Sequence, residues 1–265
     1  MKKLLAMALA VAMTLSLAAC GSSSSSSSGA GSSAGSDSSA SGSQTATYQH
    51  HKGITTAMEN LGLDPATQLL IVDQVAENDT EVSNAIDTLA GQGANIIFGI
   101  SFGYIDAMND KAEEYPEIIF SHATGYMGND TNFNNYFGRI YQARYLTGVA
   151  AGLKSLETGN NSLGYVAAYN LDYAETCSGI NAFTLGALAV NPNATVTVKT
   201  LNTWGDETLE RQTADALLDM GCDVIAQHCD TPYPQTAAEK AGKWGIGYNS
   251  DMSKDAPKAT LTSVV

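Results

Sequence analysis

The chain has 265 residues, and its 13 basic and 27 acidic side chains give a formal net charge of −14. A surface this acidic argues against a nucleic-acid partner, because phosphate groups require a basic face. A hydrophobic content of 44% with 25 glycines is typical of a globular α/β protein and excludes wholesale disorder. No segment reaches the roughly 20 apolar residues that a bilayer span requires.

Residues 1–20 have the pattern of an exported protein's leader, in which two lysines precede an apolar run and then small residues. The leader ends in Leu17-Ala18-Ala19-Cys20-Gly21, which resembles the bacterial lipobox. That resemblance implies that Cys20 is lipidated and tethers the protein to the outer face of the cytoplasmic membrane. The alternative is ordinary secretion with an incidental cysteine.

Residues 21–47 form a linker with 14 serines, 5 glycines and 4 alanines. Such a segment cannot bury enough apolar surface to offset its ordering entropy. As a flexible coil it would reach about 30 Å, which suits a tether between a membrane anchor and a folded domain.

From residue 67 onward, apolar strand patterns alternate with amphipathic helices, which predicts parallel sheets covered by helices on both faces. The first half contains predicted helices over 48–61, 79–92 and 104–115, and predicted strands over 67–75, 95–100 and 117–122. The second half contains predicted strands over 162–168, 195–201, 223–228, 246–248 and 259–265, and a predicted helix over 174–190.

The pattern returns after a shift of 128 residues, without a gap, over about 54 residues. Gly93-Ala94-Asn95-Ile96-Ile97 falls on Gly221-Cys222-Asp223-Val224-Ile225 in this register. We therefore expect two similar Rossmann-like α/β lobes, the first over 48–135 with 258–265 returning to it, and the second over 136–257. The linker stands where the first lobe should open, so we expect that lobe to lack its opening strand and the sequence to lack a piece near residue 45 and another after Val265.

A series of short motifs in fixed order resembles the basic membrane protein (BMP) family, whose members are lipoprotein solute-binding components of ABC importers and include purine nucleoside receptors. The motifs are Tyr136–Leu153, Ile180–Gly186, Asn191–Ala194, Thr203–Asp206, Gln227–Pro232 and Ile246–Met252. The resemblance covers Tyr48 to Val265 and implies a type I periplasmic-binding-protein-like fold, a purine base or nucleoside as ligand, and ABC permease subunits as partners. Ala46 stands where the family has an aromatic residue, which puts the first-lobe half of the site in doubt.

In two-lobed α/β proteins, ligands bind at the carboxyl ends of the strands, between the lobes. In this position, Trp204 is the expected stacking residue, with Asp206 as its polar neighbour by resemblance. A tryptophan packed against its own lobe is the alternative. The other candidate ligand-binding residues follow strands: Asp230, Asn249, Asp251, Tyr169, Ser101 and Tyr104. Asp230 is equally compatible with a helix cap and with a ligand contact.

No catalytic or phosphate-binding motif is present, and no cofactor is expected. Gln227-His228-Cys229-Asp230 does not predict a metal site, because neighbouring strand residues face opposite sides. Together with the leader and the lobe repeat, the resemblance to the BMP family implies a monomeric, lipid-anchored solute-binding protein rather than an enzyme. Two alternatives remain: an extracytoplasmic nucleoside or sugar hydrolase that uses Asp206 and Asp230, and a ligand-sensing lipoprotein without a transport role.

Overall fold

The computed structural model describes residues 9–13 and 45–265, with the backbone alone for 9–13, Thr45 and Ala46. Two five-stranded parallel sheets define two lobes. The elements of the first lobe are β1 (Leu9–Met13), α1 (Thr45–Asn60), α2 (Pro65–Gln68), β2 (Leu69–Asp73), α3 (Asp79–Gly91), β3 (Ile96–Ile100), α4 (Ile105–Glu114), β4 (Ile119–Ala123) and β5 (Phe133–Tyr136). Cys20 and the linker up to residue 44 lie outside the described residues.

The second lobe follows the same plan. Its elements are α5 (Ile140–Thr158), β6 (Ser162–Ala167), α6 (Ala174–Val190), β7 (Thr195–Thr200), α7 (Glu207–Asp219), β8 (Val224–Gln227), α8 (Tyr233–Lys240), β9 (Trp244–Tyr248) and β10 (Thr260–Val264). The strand orders are β2-β1-β3-β4-β5 and β7-β6-β8-β9-β10, so corresponding strands occupy corresponding places. This is a doubly wound order, and the prediction of two α/β lobes with parallel sheets is confirmed.

The internal repeat extends to the local backbone. α7 begins and ends 128 residues after α3. Each helix has a side-chain cap: Asn78 accepts a hydrogen bond from the backbone of Glu81, and Asp206 accepts one from that of Leu209. Gly93 and Gly221, which follow these helices, have φ values of 87° and 89°. Each glycine thus allows the left-handed turn that leads into the next strand.

Two expectations about the edges and centre of the sheets are corrected. The first sheet does have a central strand, because Leu9–Met13 pairs with both β2 and β3. This segment belongs to the apolar run of the predicted leader, and its backbone completes hydrogen bonds that the two flanking strands would otherwise leave open. Residues 258–265 do not return to the first lobe, since β10 pairs in parallel with β9 of the second sheet.

Each lobe has its own apolar core. In the first lobe, Leu89 of α3, Ile97 of β3 and Phe120 of β4 are completely buried. In the second lobe, Leu163 and Phe183 are completely buried between the sheet and the α5–α6 face. These cores hold each sheet against its helices and fix the carboxyl ends of the strands, where the chain turns toward the other lobe. No helix within residues 45–265 has both the length and the apolarity that crossing a membrane requires.

Candidate functional site

A cavity of about 890 Å³ lies between the two lobes. Its lining includes residues that lie one or two positions after a strand in both lobes, such as Gln74, Ser101 and Thr124 in the first and Asn202 and Asn249 in the second. The cavity is therefore at the carboxyl ends of the strands, where open parallel sheets bind ligands. Its volume is in the range of small-molecule sites.

The cavity is also where the backbone is most constrained. Four non-glycine residues in the described part of the chain have a positive φ, and all four line the cavity: Gln74, Thr124, Asn202 and Asn249. Gln74 and Asn202 are related by the 128-residue repeat. A left-handed conformation costs an ordinary residue about 1 kcal/mol, and such strain is concentrated at functional sites.

Aromatic side chains form one wall. Tyr169 and Tyr173 stack with ring centroids 4.3 Å apart and an interplanar angle of 18°. The centroid of the Trp204 ring lies 5.1 Å from that of the Tyr169 ring. Tyr169 and Trp204 line the cavity directly, whereas Tyr173 does not. Phe102 of the first lobe lies 5.0 Å from Tyr173, so this aromatic wall spans the gap between the lobes. We name Phe102, Tyr169, Tyr173 and Trp204 the aromatic wall.

Asp230 and Asn249 form a polar pair in the same cavity. The Asn249 Nδ2 donates a hydrogen bond to Asp230 Oδ1 over 2.8 Å. Burial raises the pKa of Asp230 to about 7, with a smaller contribution from the charge of Glu175, while the bond from Asn249 opposes the rise. The helix after it, α8, has no side-chain cap, so Asp230 does not serve as one. The pair offers a carboxyl group and an amide to a bound molecule.

Trp204 and Asp230 are also connected through the backbone, because the Asp230 amide donates to the Trp204 carbonyl over 2.9 Å. The loops after β7 and β8 are thus held together. Of the predicted site residues, the structure brings Trp204, Asp230, Asn249, Tyr169 and Ser101 into the cavity lining. The Ser101 hydroxyl donates to Glu77, another lining residue.

The remaining three predicted site residues are engaged elsewhere and do not line the cavity. Asp206 caps α7 by accepting from the backbone of Leu209 over 2.9 Å. Asp251 caps the short turn over Met252–Lys254. Tyr104 is completely buried and donates to the carbonyl of Val75 over 2.8 Å. The two carboxylates accept hydrogen bonds from backbone amides and the phenol lies in the core, so none of the three side chains contributes to the cavity lining.

Several lining residues were not among those predicted. Glu175 lies in the first turn of α6, and Tyr248 lies at the end of β9. His50 of α1 also lines the cavity, with its Nδ1 3.1 Å from the Tyr136 hydroxyl. Burial lowers the pKa of His50, against an opposing effect of Glu175. Helix N-termini meet the same sheet edge as strand ends, and this rule could have identified Glu175.

The His228 and Cys229 side chains are buried and separately engaged. The His228 Nδ1 lies 3.2 Å from the Tyr165 hydroxyl, and its Nε2 lies 3.4 Å from Glu175. Burial, with a contribution from Arg144, lowers the pKa of His228 to about 4, so its ring is neutral. The Cys229 thiol instead faces the carbonyl of Val166. Within the described ranges, no group of three His, Cys, Asp or Glu side chains is arranged to hold a metal ion.

Two lobes joined around a cavity at their strand ends are the architecture that two-lobed solute-binding proteins have. A family model described as "ABC transporter substrate-binding protein PnrA-like" matches residues 37–265. The chain therefore belongs to this family, and the resemblance to BMP proteins is confirmed.

Two curated relatives are similar over most of the chain. A protein of Haloferax volcanii, named as a candidate ABC transporter glucose-binding protein, is 45% identical over 193 residues, which are 73% of this chain and 47% of that protein. A purine-binding protein of Brucella abortus is 38% identical over 219 residues, which are 83% of this chain and 60% of that protein. The chain thus spans about half to three-fifths of the length of these relatives.

Solved structures show the same fold. A solute-binding protein of an ABC transporter system from Aeropyrum pernix superposes with a TM-score of 0.73 at 16% identity, covering 97% of this chain and 66% of that one. A transcriptional activator of the comK gene from Bacillus halodurans gives 0.67 at 19% identity, covering 94% and 73%. At these identities the likeness is evidence for the fold alone.

Proposed function

We propose that this protein is the ligand-binding component of an ABC importer and that it binds a purine base or nucleoside between its lobes. The observation that carries the proposal is the meeting of the aromatic wall with the Asp230–Asn249 pair in one cavity. A relative at 38% identity that is named as purine-binding supports the same ligand class.

The two parts of the site suit two parts of such a ligand. A purine ring presents a flat face that can stack on an indole such as that of Trp204. Its edge presents both hydrogen-bond donors and acceptors. The Asp230 carboxyl and the Asn249 amide, which already face one another over 2.8 Å, can serve both kinds of group. A ribose would add hydroxyl groups that carboxylates can accept from.

The site properties also bear on the alternatives. A relative at 45% identity is named for glucose, and aromatic rings can pack against sugar faces, so glucose is the second candidate ligand. The hydrolase alternative required Asp206 together with Asp230, but the Asp206 carboxylate caps a helix. We propose no reaction for this site.

The rest of the proposal concerns location and partners. We infer that the exported protein is lipid-anchored through Cys20 at the outer face of the cytoplasmic membrane, acts as a monomer and delivers its ligand to ABC permease subunits. Its support is the lipobox-like sequence and the family membership. The mass of the N-terminal peptide of the exported protein tests the anchor: an unacylated peptide would contradict it.

The ligand is tested by calorimetric titration of the full chain with adenosine, guanosine and D-glucose. We expect a purine nucleoside to bind more tightly than glucose. In Trp204→Ala, the nucleoside Kd should rise about tenfold or more, because stacking of a base on an aromatic ring contributes roughly 1–3 kcal/mol.

Tyr141→Ala is the matched control for the loss of an aromatic ring. Tyr141 lies on α5, is exposed and is not part of the cavity lining. Its removal should leave the Kd unchanged. Tighter binding of glucose than of either nucleoside, or equal nucleoside affinity in Trp204→Ala and the parent, would overturn the proposed ligand.

A further inference from the structure

Acidic side chains predominate in the lining of the cavity. Three carboxyl groups contribute to it, those of Glu77, Glu175 and Asp230, against the single guanidinium of Arg139. Arg139 and Glu77 are both exposed, so solvent screens both of these charges. The imidazole of His50 adds little positive charge, because burial lowers its pKa. Burial raises the pKa of Asp230 to about 7, so Glu175 is the lining carboxylate whose negative charge is both retained and little exposed to water.

Glu175 is the most firmly held of these carboxylates. It lies in the first turn of α6, its side chain is only 9% exposed, and it still contributes to the cavity lining. The Tyr248 hydroxyl donates to its Oε1, and the His228 Nε2 lies 3.4 Å from the same oxygen. The positive end of the helix macrodipole further favours a negative charge at this position.

A buried cation, Arg144, packs against the tyrosine that hydrogen-bonds to Glu175. The Arg144 side chain is completely buried, and its Nη1 donates to the carbonyl of Gln227 over 2.7 Å. Its guanidinium carbon lies 4.2 Å from the centroid of the Tyr248 ring, whose hydroxyl donates to Glu175. The ring of Tyr248 therefore connects the buried cation to the carboxylate of the cavity.

The surrounding backbone makes room for this arrangement. A Cβ at Gly179, one turn along α6 from Glu175, would lie 3.0 Å from the His228 Cε1 and 3.5 Å from the Arg144 Nε. The glycine thus lets both side chains approach the helix. Burial alone would raise the pKa of Glu175, but the hydrogen bonds from His228 and Tyr248 and the charge of Arg144 outweigh it, and the pKa lies below its ordinary value.

We propose that Glu175 is a specificity-determining residue that accepts hydrogen bonds from an uncharged ligand and rejects phosphorylated ones, and that Arg144 positions it through Tyr248. The inference rests on the proposed function for the site but narrows the ligand class to neutral solutes. A phosphate group in the cavity would face a fixed, poorly solvated carboxylate, and repulsion between like charges is strong where water is excluded. A ligand hydroxyl or N–H would instead gain a charge-assisted hydrogen bond.

The test measures selectivity within pairs of ligands that differ by one phosphate. The full chain and Glu175→Gln are titrated with adenosine and adenosine 5′-monophosphate, and with glucose and glucose 6-phosphate. We expect the parent to prefer the neutral member of the pair that it binds. In Glu175→Gln, the ratio of the two Kd values should fall at least tenfold, because glutamine keeps the shape and removes the charge.

Glu207→Gln is the control, because Glu207 is an exposed carboxylate on α7 outside the cavity. It should leave the ratio unchanged. A parent that binds both members equally, or a ratio that is the same in Glu175→Gln, would overturn the inference. Binding of the sugar pair alone would overturn the purine proposal, and the role of Glu175 would then be judged on the sugar ratio. Binding of no ligand would overturn both.

The positioning role of Arg144 has its own variants. Arg144→Met keeps an unbranched apolar stem and removes the cation, and we expect it to lower the selectivity ratio. Arg144→Lys restores a cation and should recover part of that ratio. A structural defect alone would weaken binding of both members of a pair and leave their ratio intact, and that outcome in Arg144→Met would remove Arg144 from the proposal.

Discussion

Glu210 is a buried carboxyl group of α7. Its Oε1 accepts from the backbone of Asp206 over 2.9 Å, and its Oε2 accepts from the Thr231 hydroxyl. Burial raises its pKa to about 8, and the nearby charges of Asp230 and Asp206 add to this effect, while the two hydrogen bonds oppose it. The folded chain therefore holds a proton on Glu210 at pH values where the unfolded chain has released it.

This difference makes stability depend on pH. For a carboxyl group with a raised pKa in the folded state, the free energy of unfolding decreases as the pH rises from about 4.5 to about 8, by at most ~1.4 kcal/mol per pH unit. Glu210→Gln should flatten this dependence in urea unfolding at pH 5 to 8. The exposed Glu207→Gln should keep the parent slope. Equal slopes in Glu210→Gln and the parent would show that the group is not protonated in the folded state.

Position after a strand was enough to predict Trp204, Tyr169, Asp230, Asn249 and Ser101 as lining residues, because chain direction alone places them at the shared edge. The same rule also selects Asp206 and Asp251, which do not line the cavity. Both also stand directly before a helical turn, where an aspartate satisfies free backbone N–H groups. At such positions an aspartate can either contact a ligand or cap a helix, and the sequence pattern does not show which of these roles it has.

At the scale of elements, the closest packing is between α5 and α6. A Cβ at Gly148 would lie 2.0 Å from the carbonyl oxygen of Phe183, and one at Gly186 would lie 2.0 Å from that of Tyr145. In both cases the obstacle is backbone, which cannot move aside as a side chain can. The two helices therefore approach closely only because these positions have no side chain.

Gly148→Ala should lower the free energy of unfolding by about 1–3 kcal/mol, since overpacking forces the two helices apart. Gly53 of α1 provides a matched control, because it is an exposed helical glycine with no atom within 4 Å of an added Cβ. Gly53→Ala should raise the same quantity by roughly 0.5–1 kcal/mol through helix propensity. Chemical unfolding of both variants checks the pair, and a neutral Gly148→Ala would contradict the close packing.

The elements with strong periodicity were predictable and those set by local chemistry or pairing were not. α6 has the predicted bounds, Ala174–Val190, and α3 begins at the predicted Asp79. β2 begins two residues later than predicted because Asp64 caps a single helical turn, Pro65–Gln68. β5, Phe133–Tyr136, was missed, since its two asparagines give it low strand propensity and its pairing with β4 decides its structure.

At the scale of the whole molecule, the repeat predicted two equivalent lobes, and the equivalent strand orders agree with it. It could not predict which segment occupies the centre of the first sheet. The central strand position is filled by pairing between segments that are distant in sequence. Any extended segment with free backbone N–H and C=O groups can form that pairing. The same lack of local information led to the wrong lobe for residues 258–265, whose strand pairs with β9.

The segment Leu9–Met13 has two roles that exclude one another: it is part of the predicted leader, and it pairs with β2 and β3 at the centre of the first sheet. Removal of the leader before Cys20 would take this strand away.

Hydrogen exchange should therefore be compared between the full chain and residues 20–265. We expect amides of Leu69–Asp73 and Ile96–Ile100 to exchange roughly tenfold faster or more in the shorter chain, because the pairing that protects them is lost. Amides of Ser162–Ala167 and Val224–Gln227, which pair within the second sheet, should exchange equally in both. Equal protection of the first sheet in the two chains would mean that its central place does not depend on Leu9–Met13.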